Sequence, residues 1–313
     1  MLQDNYINLG KTGIQISSIG IGIMQWGDFR IDPSDTELNK KILEIYQVVL
    51  ASSINLFDTA EMYGNGKSEL HLGDCLRQIP SDVVIATKFM PFPWRITKGE
   101  LRSALSRSLK RLGLSHVDLY QMHWPTPPVP IRSWMDAMAD VVADGLIRAV
   151  GVSNYSVSQT RLAHEALAKH NITLASNQVR FSLLHQTPVR NGLLKLCNEL
   201  GITIIAYSPL EKGILSGKYS SERLPTGYRS MFYNKNYLHK IAPLMEALKQ
   251  IGQAHDEKTS AQVALNWLTC KGAVPIPGAR DQQQARENAG GLGWQLTAGE
   301  IALLDRISEE VTE

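Results

Sequence analysis

Cysteine is scarce in this sequence: three residues in 313, at Cys75, Cys197 and Cys270, odd in number and far apart. Such usage argues against a disulfide framework and a cysteine-based zinc site. Long apolar runs are missing as well. No segment approaches the roughly 20 residues of a membrane-spanning helix, so no membrane partner is expected. Charge of one sign is also lacking, with Lys plus Arg at 32 against 30 for Asp plus Glu, a formal +2. That surplus is too small to recruit a nucleic acid, although it leaves room for a local basic pocket. The first residues carry neither the basic start nor the apolar stretch of a secretory signal, and a reducing, cytoplasmic compartment is the expectation. No linker, charge block or low-complexity stretch marks a boundary, so residues 1–313 are expected to form a single domain.

What is present is an ordinary globular composition, 43% hydrophobic and 20% charged, with enough apolar material for a large core. Residues 6–17 read as a β-hairpin around a Gly-Lys-Thr-Gly turn. Eight apolar runs of strand length then alternate with helix-period segments. They centre on Ile19–Ile23, Ile54–Phe57, Val83–Thr87, Val117–Met122, Ala149–Val152, Ala175–Val179, Thr203–Tyr207 and Ala273–Ile276. The runs are near-continuously apolar, as expected of parallel strands covered by helices. Capping boxes open the helices at Ser34/Glu37, Thr97/Glu100, Ser156/Gln159, Thr259/Gln262 and Thr297/Glu300. The expected fold is α/β, a (β/α)₈ barrel of the TIM type, with the N-terminal hairpin and a long loop after the seventh strand, about Ser208–His239. The eighth strand is the weakest of the set, because Pro275 and Pro277 cannot donate to a ladder.

Barrels gather function at the C-terminal ends of their strands, and here those ends are polar. The second strand runs into Asp58-Thr-Ala-Glu-Met-Tyr63-Gly, the third into Lys88, the fourth into Gln121-Met-His123-Trp124-Pro and the fifth into Ser153-Asn154. The sixth carries Gln178, and the seventh ends in Tyr207-Ser208-Pro209-Leu210. Three apparent motifs fail on inspection. Gly20-Ile-Gly22 lacks the rest of a Rossmann fingerprint, Gly66-Lys-Ser68 lacks the first glycine of a P-loop, and Gly151-Val-Ser153-Asn-Tyr155 lacks the closing glycine of a nucleophile elbow. The histidines show no metal-ligand spacing, so no metal is expected.

Over nearly its whole length the sequence resembles the aldo-keto reductase superfamily. The ordered set Asp58, Tyr63, Lys88 and His123 is similar to that family's catalytic tetrad. The Ser153-Asn154, Gln178 and Tyr-Ser-Pro-Leu elements also match, as does Ile276-Pro-Gly278-Ala-Arg280-x-x-x-Gln284-x-x-Glu-Asn288. Taken singly, each tetrad residue has a plain structural explanation: a salt bridge, a helix cap, a packed loop, a satisfied histidine. Their convergence on one barrel mouth is what points to chemistry. The resemblance implies NADPH-dependent reduction of an aldehyde or ketone. In physical terms, Tyr63 gives a proton to the carbonyl oxygen, and Lys88 lowers the phenol's pKa from its ordinary value of about 10. Asp58 holds Lys88 charged, and His123 orients the carbonyl.

By the same resemblance, Tyr207 stacks on the nicotinamide and Ser153, Asn154 and Gln178 hold its carboxamide. Gly22, Met24 and Asp58 border the ring, and Ser208, Pro209, Leu210 and Lys218 lie along the pyrophosphate and adenosine. Gly278, Arg280, Gln284 and Asn288 surround the far end, with Arg229 a further contact from the long loop. Arg280 at a helix start suits a 2′-phosphate better than a ribose hydroxyl, which favours NADPH over NADH. Trp26, Tyr63, His123 and Trp124 are the candidate substrate contacts, and Phe89, Phe92, Trp94, Phe232 and Tyr233 extend an aromatic wall. The long seventh loop resembles the branch containing potassium-channel β-subunits, pyridoxal reductases and plant or cyanobacterial relatives, which makes pyridoxal a candidate substrate. The alternative is an NADPH-binding redox-sensing subunit with little turnover; oligomeric state is not read from the sequence.

Overall fold

In a computed structural model the chain is described for residues 5–27, 35–227, 230 and 233–312. A hairpin of β1 (Tyr6–Asn8) and β2 (Gln15–Ser17) precedes eight strands that pair in parallel and in chain order: β3 (Ile21–Gly22), β4 (Leu56–Asp58), β5 (Val84–Phe89), β6 (Val117–Met122), β7 (Ile147–Ser153), β8 (Leu174–Arg180), β9 (Thr203–Tyr207) and β10 (Ala273–Pro275). Between them run α1 (Thr36–Ala51), α2 (Lys67–Gln78), α3 (Lys98–Leu112), α4 (Ile131–Ala143), α5 (Val157–Ala168), α6 (Thr187–Arg190), α7 (Leu193–Leu200), α8 (Lys235–Lys240), α9 (Ala242–Ala254) and α10 (Ser260–Cys270). Helices α11 (Gln282–Ala289) and α12 (Ala298–Thr312) follow the last strand. The expected (β/α)₈ barrel with its hairpin is therefore the observed fold.

The prolines of the last strand turn out to suit the seam where the barrel closes. Ile276 donates its N–H to Ala206 on β9, while Gly20 and Gly22 donate to the carbonyls of Pro275 and Pro277. The prolines are used only as acceptors, so their missing N–H groups cost the ladder nothing there. Gly22 is needed at this seam because a Cβ would sit 2.9 Å from the Ile276 carbonyl oxygen.

Two apolar layers hold the barrel. The outer one packs α-helices onto the strands, with Trp267, Tyr46, Tyr120, Phe57 and Phe181 among its fully buried side chains. The inner one fills the end of the barrel away from the strands' C-termini. Leu9, Ile14 and Ile16 of the hairpin pack there on Leu56, Ala86, Leu119, Ala175 and Val274. Gly10 N–H donates to the Thr203 hydroxyl at 2.8 Å, and Ser17 N–H to the Asn55 amide oxygen at 2.7 Å. The hairpin thus plugs one mouth and leaves the other to the loops.

The capping boxes at Ser156, Thr259 and Thr297 form reciprocally, and at Thr97 Glu100 returns to the N-cap amide. Ser34 lies outside the described residues, and it is Asp35 that caps α1, accepting from the amides of Glu37 and Leu38. The long seventh connection, expected as loop over about Ser208–His239, holds a 3₁₀ segment at Glu211–Ser216 and a short α-helix from Lys235. Asn234 caps this short helix, whose single buried residue, Leu238, leaves no periodicity to read. Among the described residues, no helix is long and apolar enough to cross a membrane.

Candidate active site

Asp58 ends β4, Lys88 lies one residue before the end of β5, and His123 follows β6 directly, so the barrel brings three side chains to one mouth. Tyr63 arrives on the loop after β4. Two glycines position it: a Cβ on Gly64, at φ +61°, would lie 1.9 Å from the Gly27 carbonyl oxygen, and one on Gly27 would lie 2.6 Å from the Tyr63 carbonyl oxygen. The short 3₁₀ turn Met24–Gly27 can therefore press directly on the backbone at Tyr63. Ser68 secures the far side of this loop, its hydroxyl bonding the Ile23 carbonyl and the Thr59 hydroxyl. The Gly-Lys-Ser run is a structural corner.

Lys88 is fully buried, yet each of its three ammonium protons has an acceptor: Asp58 Oδ1 at 2.5 Å, the Thr59 carbonyl at 2.7 Å and Tyr63 Oη at 3.3 Å. Burial alone would push this lysine down. The Asp58 carboxylate and the Tyr63 oxygen outweigh it and hold the ammonium above its ordinary value. An ammonium donates only, so Tyr63 Oη accepts from Lys88, and its own O–H is left to point elsewhere.

Lys88 was expected to bring the Tyr63 phenol below its ordinary pKa. The net direction is the reverse: burial, the largest influence, raises it, Lys88 lowers it and Asp58 raises it again. The phenol is consequently protonated at neutral pH. His123 meets the Tyr63 ring edge-on, with centroids 5.8 Å apart and planes at 82°. Burial, then the Lys88 charge, pulls the imidazole down to about 3. It is neutral near pH 7. Its Nδ1 is buried without a partner among the described residues, and the residue as a whole is half-buried.

Behind these groups sits a buried amide network. Asp58 Oδ2 accepts from Gln178 Nε2 at 2.7 Å and Gln121 Nε2 at 3.2 Å. The Ser153 hydroxyl donates to the Gln178 carbonyl at 2.8 Å, Asn154 Nδ2 donates to Ser153 Oγ at 3.0 Å and to the His123 carbonyl at 3.1 Å, and Tyr207 Oη donates to Asn154 Oδ1 at 2.9 Å. The residues expected around a carboxamide are thus gathered beside Asp58 and His123. Gln121 and Thr59 were not singled out for their contacts with the Asp58–Lys88 pair. The first was visible only as a polar residue at a strand end, and the second acts through its backbone.

Further out, Ser208, Glu211 and Lys212 adopt positive φ with Gly213. The Glu211 carboxylate accepts from Arg180 and from the Ser182 hydroxyl, pinning the Tyr207–Leu210 run to β8. Pro209 is buried and Leu210 half-buried. The Lys218 ammonium lies over the Tyr219 ring. Arg280 is exposed just before α11, and its guanidinium has no ion-pair partner among the described residues. Gln284 is engaged locally, accepting from Arg280 N–H and donating to Asp281, and buried Asn288 donates to the Gly278 carbonyl. Arg229 and Phe232 lie outside the described residues.

The aromatic wall is smaller than expected. Trp26 is 2% exposed, its indole N–H donating to the Ala279 carbonyl, so it packs beneath the loops rather than facing the cleft. Phe89 is fully buried edge-on to Trp134, and Tyr233 is buried with its hydroxyl donating to the Glu211 carbonyl. Both are anchors. Met24, Trp94 and Trp124 remain exposed at the loop end, and Phe92 is half-buried against Trp94.

The Aldo/keto reductase family model matches residues 18–309. The chain is 39% identical over 311 residues to the chloroplastic pyridoxal reductase of Arabidopsis thaliana, covering 95% of this chain and 84% of that protein. It is 31% identical over 309 residues to a probable aldo-keto reductase of Glycine max, covering 94% and 86%. A thermostable aldo-keto reductase solved with the inhibitor epalrestat superposes with a TM-score of 0.78 at 31% identity, covering 96% of this chain and 99% of that one. An aldo-keto reductase from Klebsiella pneumoniae in complex with NADPH gives 0.75 at 25% identity, covering 96% and 93%. With its barrel, its strand-end residues and these matches in agreement, the chain belongs to the aldo/keto reductase family.

Proposed function

We propose that this protein is an NADPH-dependent carbonyl reductase in which Tyr63 gives the proton to the carbonyl oxygen. The observation that carries the reading is the orientation forced on Tyr63. Its oxygen accepts from the Lys88 ammonium, so its own proton is available to a carbonyl oxygen in the cleft. As that proton leaves, the phenolate forms against an ammonium already in place, which needs no rearrangement. Asp58 keeps Lys88 charged through the cycle. Neutral His123 orients the carbonyl oxygen toward Tyr63.

The residues present fit NADPH. Ser153, Asn154 and Gln178 offer amide and hydroxyl groups beside the tetrad, Tyr207 offers a half-buried ring, and the exposed Arg280 guanidinium, without an ion-pair partner among the described residues, stands at the start of α11, where a phosphate dianion is favoured. When bound, NADPH supplies the hydride to the carbonyl carbon. Pyridoxal is a candidate substrate, on the likeness to the Arabidopsis pyridoxal reductase. Steady-state oxidation of NADPH with a panel of small aldehydes, pyridoxal included, tests the assignment. Turnover with at least one aldehyde and a preference for NADPH over NADH is expected. NADPH binding without turnover on any panel member would favour the redox-sensing subunit instead.

A further inference from the structure

The loop after β5 is tied to the loop of Tyr63 by a nearly closed ion pair that lies outside the tetrad. Glu61, two residues before Tyr63, accepts from Arg95 at 2.5 Å and 3.2 Å through its two oxygens, and the same carboxylate accepts the Met90 N–H at 2.8 Å. Arg95 returns a bond to the Met90 carbonyl at 2.9 Å, and its guanidinium stands over the rings of Phe89 and Phe92 at 5.1 and 5.2 Å. The pair is largely withdrawn from water, with side chains 15% and 8% exposed. Phe92 in turn stacks on Trp94, with centroids 4.6 Å apart and planes within 6°, and Trp94 is 69% exposed. The carbonyl of Phe89, the last residue of β5 and the start of this loop, accepts the His123 N–H at 2.9 Å.

We infer that Arg95 is a positioning residue, which through Glu61 fixes the Phe92–Trp94 stack relative to Tyr63, and that the stack selects carbonyl substrates carrying a flat aromatic ring. This rests on the proposed role of Tyr63. The exposed Trp94 face offers a plane on which such a ring lies in offset-stacked contact. An aliphatic carbonyl has no plane to match it. A bidentate fork between two loops fixes both distance and angle, which a single hydrogen bond does not. Because the pair is desolvated, loss of either partner strands the other and loosens both loops.

The test compares 4-nitrobenzaldehyde with butanal, with NADPH saturating, in wild type, Trp94→Ala, Arg95→Met and Arg95→Lys. Trp94→Ala is expected to raise KM for the aromatic aldehyde about 3- to 10-fold, the size of one aromatic contact, and to leave butanal within about twofold. Arg95→Met should raise the aromatic KM by a similar factor and also lower kcat for both aldehydes, because the Tyr63 loop is released with the stack. Arg95→Lys, which keeps charge without the fork, should recover only part of each loss. An aromatic-to-aliphatic KM ratio unchanged in Trp94→Ala and Arg95→Met would overturn the inference. Trp94 is exposed, so its variant folds even where an Arg95 variant does not. The ratio is independent of which group donates the proton: turnover by Tyr63→Phe would overturn the proposed mechanism while leaving an altered ratio standing.

Discussion

Replacing Asp58 by asparagine measures what the buried ion pair contributes to folding. The pair is closed to water, with Lys88 and Asp58 side chains 0% and 3% exposed and 2.5 Å apart. Removing one partner of such a pair costs about 3–5 kcal/mol, because the remaining charge is stranded. Lys88 keeps the Thr59 carbonyl and Tyr63 Oη and can still donate to the asparagine oxygen, so only the charge is lost, which places the expected loss near the lower end, about 3 kcal/mol, or about a hundredfold in the folding equilibrium. The pH dependence follows from the lysine. In the wild type Asp58 holds it above its ordinary value, so its contribution is full below about pH 10 and is lost only as the pH rises through the raised value. In Asp58→Asn, burial is no longer opposed by the carboxylate and pushes the lysine down. The penalty is then full at low and neutral pH and fades as the pH climbs toward 10. Adding Lys88→Met removes the stranded charge and frees the asparagine oxygen to accept from Gln121 and Gln178, so the double variant should regain about 2 kcal/mol over Asp58→Asn. Urea unfolding followed by tryptophan fluorescence, at pH 7 and 9.5 and constant m, measures all three. A single variant within about 0.5 kcal/mol of wild type, or a double variant less stable than the single, would refute the reasoning.

His123 should remain neutral from about pH 4 upward, since its pKa is pulled down to about 3. The unfolded chain binds this proton near pH 6.5 and the folded one does not, so acidification below 6.5 should draw stability from the fold. A nitrogen-resolved NMR titration placing His123 between 6 and 7 would contradict the burial argument. Arg280→Ala should weaken NADPH binding on the order of 10- to 100-fold, the loss of one charge-assisted contact, and leave NADH within about twofold; equal effects on both, read by cofactor fluorescence, would remove Arg280 from the 2′-phosphate. Gly64→Ala puts a Cβ 1.9 Å from the Gly27 carbonyl oxygen at φ +61°, so it should cost about 2 kcal/mol or more and depress turnover by shifting Tyr63; a wild-type melting curve with full activity would show that the two loops do not need this approach.

Much of the barrel was legible because its signals are local. Val117–Met122 and Thr203–Tyr207 coincide with their apolar runs, since both faces of those strands are covered. The first and last barrel strands are shorter than their runs suggest, for they meet at a seam made of glycine amides and proline carbonyls, which is a non-local arrangement. The meeting of Asp58, Tyr63, Lys88 and His123 was legible because chain order on a barrel maps directly onto position around its mouth. The acidity of Tyr63 was not, because it is a balance between burial and the Lys88 charge, and burial cannot be read from a loop sequence. Trp26 and Phe89 were assigned to the wall as aromatics near strand ends, yet their direction is set by contacts with Ala279 and Trp134, far along the chain. The Glu61–Arg95 latch joins residues 34 apart on two irregular loops and left no periodic trace.

The most direct measurement is single-turnover reduction in Tyr63→Phe, at saturating NADPH, set beside a fluorescence titration of NADPH binding. The Tyr63 oxygen is the sole acceptor lost to Lys88 in this variant, and Asp58 and Thr59 still hold the ammonium, so the site should stay folded and NADPH affinity should stay within about threefold. Loss of a positioned general acid predicts a rate lower by about 10²- to 10⁴-fold. A Tyr63→Phe enzyme that reduces its aldehyde at the wild-type rate would mean that the proton comes from elsewhere.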